Sequence, residues 1–369
     1  MYTRPSKALV VLAGAMLLSA CGGTAATVND PTASPASTAA TAEDSAATSQ
    51  TPSASVESPA ASEVTDAFAN PEETLADPDA SAEDLVDAWF GLLALAAPGG
   101  GKVATSSEEV EASMKVMRTY LDPAFTLVRA TGQRYTAGNY VPVSIRAYEL
   151  SDFVVTEPRE DIRVIRFFVS QTGATSPDAG VVLSEEKAPR IVVLRWDARL
   201  GHWVMVSYAN FNKAIAAICE RDPIVVRGET LNTSKEDLAL GMSLVKWEAA
   251  NAMGKPTDEV EVSPAFQVQF ADGEGWPTTG EAMIDDWTPA TSYDYDNVGV
   301  ARNGDLIVVS YDAVVDGIVI EGEDYRDTAT PRLATYLRNS DGKWQRISMG
   351  SFNVPEDIPA DVECVSLAP

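Results

Sequence analysis

One passage of this chain occurs twice. PRIVVLRWDARLGHWVMVSYANFN (189–212) returns as PRLATYLRNSDGKWQRISMGSFN (331–353). Both open on Pro-Arg, run through an apolar strand, turn at a Gly, resume at Trp203 or Trp344 and close on Phe-Asn. With one residue skipped in the turn, seven of 23 positions are identical. Three further blocks repeat in the same order: SAEDLVDAWF (from 81) with SKEDLALGMS (from 234), LDPAFTLVRATG (121–132) with VSPAFQVQFADG (262–273), and REDIRVIRFFV (159–169) with NGDLIVVSYDA (303–313). The offsets are 141 from Pro123 to Pro264, 144 from Asp161 to Asp305 and 142 from Pro189 to Pro331. A near-constant spacing means a domain of about 140 residues duplicated in tandem, so whatever this chain folds into, it does so twice. The offset rises to 153 at the first block, because the first copy carries extra residues around GGGKVATSSEEVEASMKVM.

Each copy reads helix first, then strands. Ser81 with Asp84 and Ser234 with Asp237 form Ser-x-x-Asp capping boxes, followed at helical spacing by Leu85, Trp89 and Leu92, and by Leu238, Met242 and Val245. Alternating strands follow, and Leu200-Gly201 and Asp341-Gly342 supply hairpin turns. Helices at the N-terminal side of an antiparallel sheet make an α+β domain whose helices cover one face. The expected boundaries are 79–226 for the first copy and 227–369 for the second.

The N-terminus reads as an address. Basic MYTRPSK and an apolar run from Ala8 to Leu18, too short to span a bilayer, lead into Leu-Ser-Ala-Cys21. This resembles a bacterial lipobox, in which Cys21 takes a diacylglyceryl group and becomes the new N-terminus, so 1–20 is a signal peptide. Residues 21–78 form a tether: Ala, Ser, Thr and Pro make up 32 of the 45 residues 22–66, with no aromatic and no basic residue. Such a segment buries too little apolar surface to offset its ordering entropy, and as a coil it holds the folded part roughly 45 Å from the lipid. The expected location is the extracytoplasmic face of a cell membrane, with that membrane as a partner through the anchor.

Lys and Arg number 27 against 54 acidic residues, a net charge of -27. That field opposes binding to nucleic acid and to anionic headgroups. With Cys21 acylated, Cys219 and Cys364 remain as an even pair in an oxidising compartment, and a disulfide between them is expected; two free thiols are the other outcome.

The second copy resembles the nuclear transport factor 2-like superfamily, in its SnoaL-like and ketosteroid-isomerase-like branches. The resemblance rests on PAFQVQFADGEGWPTTGEAMIDDW, NGDLIVVSYDAVVDG and DGKWQRISMGSF. It implies a cone in which helices and a curved sheet enclose a pocket rimmed by the short helix at Gly280–Met283. The first copy has TAGNYVPVSI where that helix should be. The functional pocket is therefore expected in the second copy.

Enzymes of this family place an acid in the pocket. The candidates are Asp285 and Asp286 in MIDDW and Asp312 in SYDAV, each with a solvated or outward position as the competing reading. His202 is the only histidine, and it sits in a turn, which leaves Ser-His-Asp, Cys-His and His-based zinc chemistry without material. Asp294, Asp296, Gly299 and Asp305 copy part of a calcium loop, but the flanks read as strands. No metal and no cofactor is expected. Ligand-wall candidates are Trp276, Trp287, Tyr311, Tyr336 and Trp344, and Trp344, Arg346, Ser348, Gly350 and Phe352 share one strand face by period two. The leading function is non-catalytic binding of a small apolar ligand or a cell-envelope partner. The alternatives are an isomerase, cyclase or dehydratase using a pocket Asp, and a structural module in which the two copies pack through their sheets.

Overall fold

The computed structural model describes residues 70–96, 106–130, 132–176, 180–218, 233–255, 257–276, 287–320, 323–326 and 329–352. The first copy contains α1 (Pro71–Leu75), α2 (Ala82–Ala96), α3 (Ser107–Arg118), β1 (Leu121–Arg129), β2 (Arg134–Thr136), β3 (Ala147–Arg159), β4 (Ile162–Thr172), β5 (Thr175–Ser176), β6 (Val181–Leu183), β7 (Ala188–Asp197), β8 (His202–Asn210) and β9 (Ala214–Ala217). The second contains α4 (Lys235–Ala252), β10 (Val260–Phe270), β11 (Gly275–Trp276), β12 (Trp287–Thr288), β13 (Ser292–Asn303), β14 (Leu306–Ile320), β15 (Glu323–Arg326), β16 (Thr330–Arg338) and β17 (Trp344–Ser351).

The duplication is written into the topology. The first main sheet runs β2-β1-β8-β7-β4-β3, and the second runs β11-β10-β17-β16-β14, with β12, β13 and β15 paired to β14. Strands at equivalent sequence positions hold equivalent places. One pairing departs from the antiparallel expectation: β1 lies parallel to β8, and β10 parallel to β17. The last strand of each main sheet, β8 or β17, returns beside the first, a long-range adjacency that no local pattern encodes.

Both serines cap their helices, with their hydroxyl, and not their backbone N–H, meeting the acid three residues on. Ser81 Oγ and Ser234 Oγ accept from the backbone N–H of Asp84 and Asp237 and donate to their carboxylates. Leu85, Trp89 and Leu92 are buried as expected. On α4 the buried stripe is instead Gly241, Leu244, Val245, Glu248 and Ala252, while Leu238 and Met242 are exposed. Gly241 explains the rotation: a Cβ there would lie 2.3 Å from Val300 Cγ2, so α4 crosses β13 on its smallest residue. The extra residues of the first copy form α3, capped by Ser106 and Glu109. Order also begins earlier than the tether reading allowed. α1, with Pro71 at its start and Leu75 buried in the first core, occupies part of 21–78. Five residues are too few for helical periodicity to register.

The layers run helix, sheet, sheet, helix. One core lies between α2 and the first sheet, another between α4 and the second. A third joins the two sheets through Val128, Val164, Ile191, Val193 and Phe211 of the first copy and Leu306, Val308, Leu333, Ile347 and Phe352 of the second. Phe211 and Phe352, equivalent by the 141 offset, stack on each other with ring centroids 4.4 Å apart. A Cβ on Gly350 would meet Ala209 Cβ at 2.7 Å, so glycine is what lets the sheets close. Several polar groups pair across this interface. Thr335 donates to Ser207 Oγ at 2.8 Å. The Gln267 amide donates to Thr156 Oγ1 and the Val164 carbonyl and accepts from Arg166 Nε.

Candidate functional site

The enclosed face of the second sheet carries a polar cluster inside its apolar core. Glu248, on the buried stripe of α4, is ion-paired with Arg346 of β17, and neither side chain has accessible surface. The Arg346 guanidinium lies over the rings of Phe266 at 4.5 Å and Trp247 at 5.4 Å. Around this pair stand Tyr293 of β13, Tyr311 of β14 and Tyr336 of β16, with Tyr293 donating to Tyr311 at 3.4 Å. Arg332 of β16 donates to Thr330 Oγ1 and to the carbonyls of Pro331 and Phe352.

Electrostatics fix the protonation of most of these groups. Burial, and then neighbouring Glu248 and phenol groups, push the hydroxyls of Tyr293, Tyr311 and Tyr336 far above their ordinary range, so all three stay neutral. Burial opposes the charge on Arg346, but Glu248, Tyr336 and Tyr311 outweigh it and the pKa rises. The cluster is thus an ion pair ringed by neutral hydroxyls. Among the described residues, five of its polar atoms find no hydrogen-bond partner: Trp247 Nε1, Glu248 Oε1, Tyr336 Oη, and Arg346 Nε and Nη2.

Of the expected wall residues, Tyr311 and Tyr336 belong to this cluster and have no accessible surface. Trp344 packs partly buried against the same core, with the Arg302 guanidinium 5.7 Å from its ring. Trp276 and Trp287 fall in β11 and β12, and their side chains lie outside the described residues, as do Gly280–Met283, Asp285, Asp286, Cys21, Cys219 and Cys364. Asp312 is on the opposite face of β14. It is bound there by Arg134 of the first copy at 2.5 Å and by Asn297 Nδ2 at 2.7 Å. His202 is half-buried beside Tyr120, ring centroids 4.9 Å apart. The partial calcium loop is strand: Asp294 and Asp296 lie in β13, and Asp305 pairs with Arg159. Among the described residues no group of His, Cys, Asp or Glu is arranged to hold a metal.

The five-residue stripe on β17 does not share one face. Thr335 pairs with Ser348 and Tyr336 with Arg346, which leaves Ile347 as a bulge. An extra residue reverses the alternation beyond it. Trp344 and Arg346 therefore face α4, whereas Gly350 and Phe352 face the first copy. The same bulge occurs at Val206 in β8. Sequence reasoning missed Glu248, Trp247 and Tyr293. The available signal was the 241, 245, 248, 252 spacing of α4, in which a glutamate stands on the apolar side.

No family model matches the chain, and no curated protein matches it. Among solved structures it is similar to a nuclear transport factor 2-like protein from Cytophaga hutchinsonii, with 15% identity over 33% of this chain and 99% of that one and a TM-score of 0.25. A nuclear transport factor 2-like protein from Rhodospirillum rubrum gives 20%, 26%, 81% and 0.22 for the same quantities. A superfamily member from Salmonella enterica gives 13%, 35%, 96% and 0.25.

Proposed function

We propose that this is a lipid-anchored, extracytoplasmic binding protein without catalytic activity. Acylated Cys21 and the tether carry two cone-shaped domains, and the cone of the second copy holds a small, mainly apolar ligand bearing one or two polar groups. The observation that carries this reading is the convergence of five unpaired polar atoms on one aromatic interior. Protein interiors leave few such atoms, and each costs about 1–3 kcal/mol. A ligand with its apolar body against Trp247 and Phe266 and a polar group toward Tyr336 and Arg346 would offset that cost. A pocket-acid enzyme has less support, because Asp312 is engaged by Arg134 and Asn297 on the far face. In this reading Cys219 and Cys364 form the disulfide, which thiol titration of the unfolded, unreduced protein checks.

The test uses the mature chain, whose intact mass also reports acylation of Cys21. An unmodified N-terminus elsewhere would contradict the anchor. Tyr336→Phe removes an unpaired hydroxyl, so the ligand-free protein should keep its stability or gain up to about 1 kcal/mol. Melted against sterols and fatty alcohols, the parent chain should show a saturable rise in Tm with at least one compound, and Tyr336→Phe should lose most of it. If no compound raises Tm, the ligand reading fails.

A further inference from the structure

The first copy encloses a cation that no carboxylate among the described residues answers. Arg190 of β7 has no accessible surface. Its Nε donates to Tyr208 Oη at 3.2 Å and its Nη1 to the Pro189 carbonyl at 2.7 Å, while Nη2 has no hydrogen-bond partner among the described residues. Among the described residues the buried carboxylates are Asp122 and Glu248. Glu248 belongs to the second copy's interior. Asp122 is bound to Arg195 and Asn303, and it lies seven residues along β1 from Arg129, roughly 20 Å.

Register places Arg190 opposite both Asn210 and Phe167, and Asn210 opposite Arg129, in one row across the sheet. Arg129 donates to Tyr135 Oη at 2.9 Å and to Ser176 Oγ. Four residues beyond Phe167, Gln171 is buried on the same face by period two, and its Nε2 also makes no hydrogen bond. Among the described residues, Arg190 Nη2 and Gln171 Nε2 thus leave unpaired donors at this end of the interior, one of them charged. Burial depresses the Arg190 pKa, against an opposing effect of Tyr208, so the charge is destabilised where it stands. The equivalent Arg332 of the second copy shares its interior with Glu248.

We propose that the interior of the first copy binds a small monocarboxylate at Arg190, its oxygens taking the free Nη2 and neighbouring donors and its apolar body lying against the Phe167 side of the row. A planar carboxylate fits the guanidinium fork and supplies one negative charge. This site is independent of the ligand site in the second copy.

The mature chain is melted in sodium formate, acetate, benzoate or phosphate, each against sodium chloride at equal ionic strength. The net charge of -27 opposes nonspecific anion binding. At least one carboxylate should raise Tm saturably, by about 5 °C or more at large excess over Kd. Arg190→Lys should weaken that response at least tenfold, whereas Arg332→Lys should keep it. Should Arg190→Lys not fold, nuclear Overhauser contacts between benzoate and the Phe167 and Tyr208 rings in the parent protein take its place. No response to any carboxylate, a response to phosphate alone, one unchanged in Arg190→Lys, or benzoate contacts elsewhere would overturn the proposal.

Discussion

Replacing Arg346 with methionine should destabilise the mature chain by about 3–5 kcal/mol, because it strands the Glu248 carboxylate in a site with no accessible surface. For a chain of this size the loss corresponds to a fall in Tm of about 10 °C. Methionine keeps much of the volume, so the cost arises from the uncompensated charge and not from a cavity. Adding Glu248→Leu should restore most of the loss, since a buried pair replaced by apolar groups of similar volume is often neutral or better. Chemical denaturation of the parent, both single variants and the double variant checks this. A double variant as unstable as the singles would mean that Glu248 and Arg346 serve the core separately.

Phe352→Ala should also cost about 3–5 kcal/mol, the usual range for emptying a buried aromatic site. The reason lies in the other copy, where Phe211 supplies the stacked face at 4.4 Å. Phe211→Ala should cost a similar amount, and the double variant less than the sum. Each single change already removes their contact, and aromatic pairs are worth about 0.5–1.5 kcal/mol beyond the area they bury. Strictly additive losses would place the two rings in separate environments.

What the sequence made legible was whatever local pattern encodes. The duplication showed as a constant offset, the helix starts as Ser81 and Ser234, and the hairpins as Gly201 and Gly342, both at positive φ. Features that depend on distant neighbours did not show. The parallel return of β8 beside β1 leaves no periodic trace. The bulges fall at Val206 and Ile347, neither of them a glycine or proline that would mark one, so alternation carried Gly350 and Phe352 to the wrong face. Glu248 was invisible because a glutamate on a helix is usually solvated, and only its partner on β17, 98 residues away, makes burial tolerable. Tyr311 and Tyr336 were identified by their aromatic character, but their surroundings depend on α4. Asp312 read as a candidate acid because the arginine that binds it lies 178 residues earlier.

The central claim is that the two copies form one body, sheet against sheet, with Ser207 and Thr335 in direct contact at 2.8 Å between their oxygens. A Ser207→Cys/Thr335→Cys variant tests it by oxidation followed by peptide mapping. The account predicts a disulfide joining the peptides that contain positions 207 and 335, formed within monomers at high yield and independent of protein concentration. Absence of that cross-link under conditions that oxidise exposed thiols, or its formation only between chains, would contradict the account.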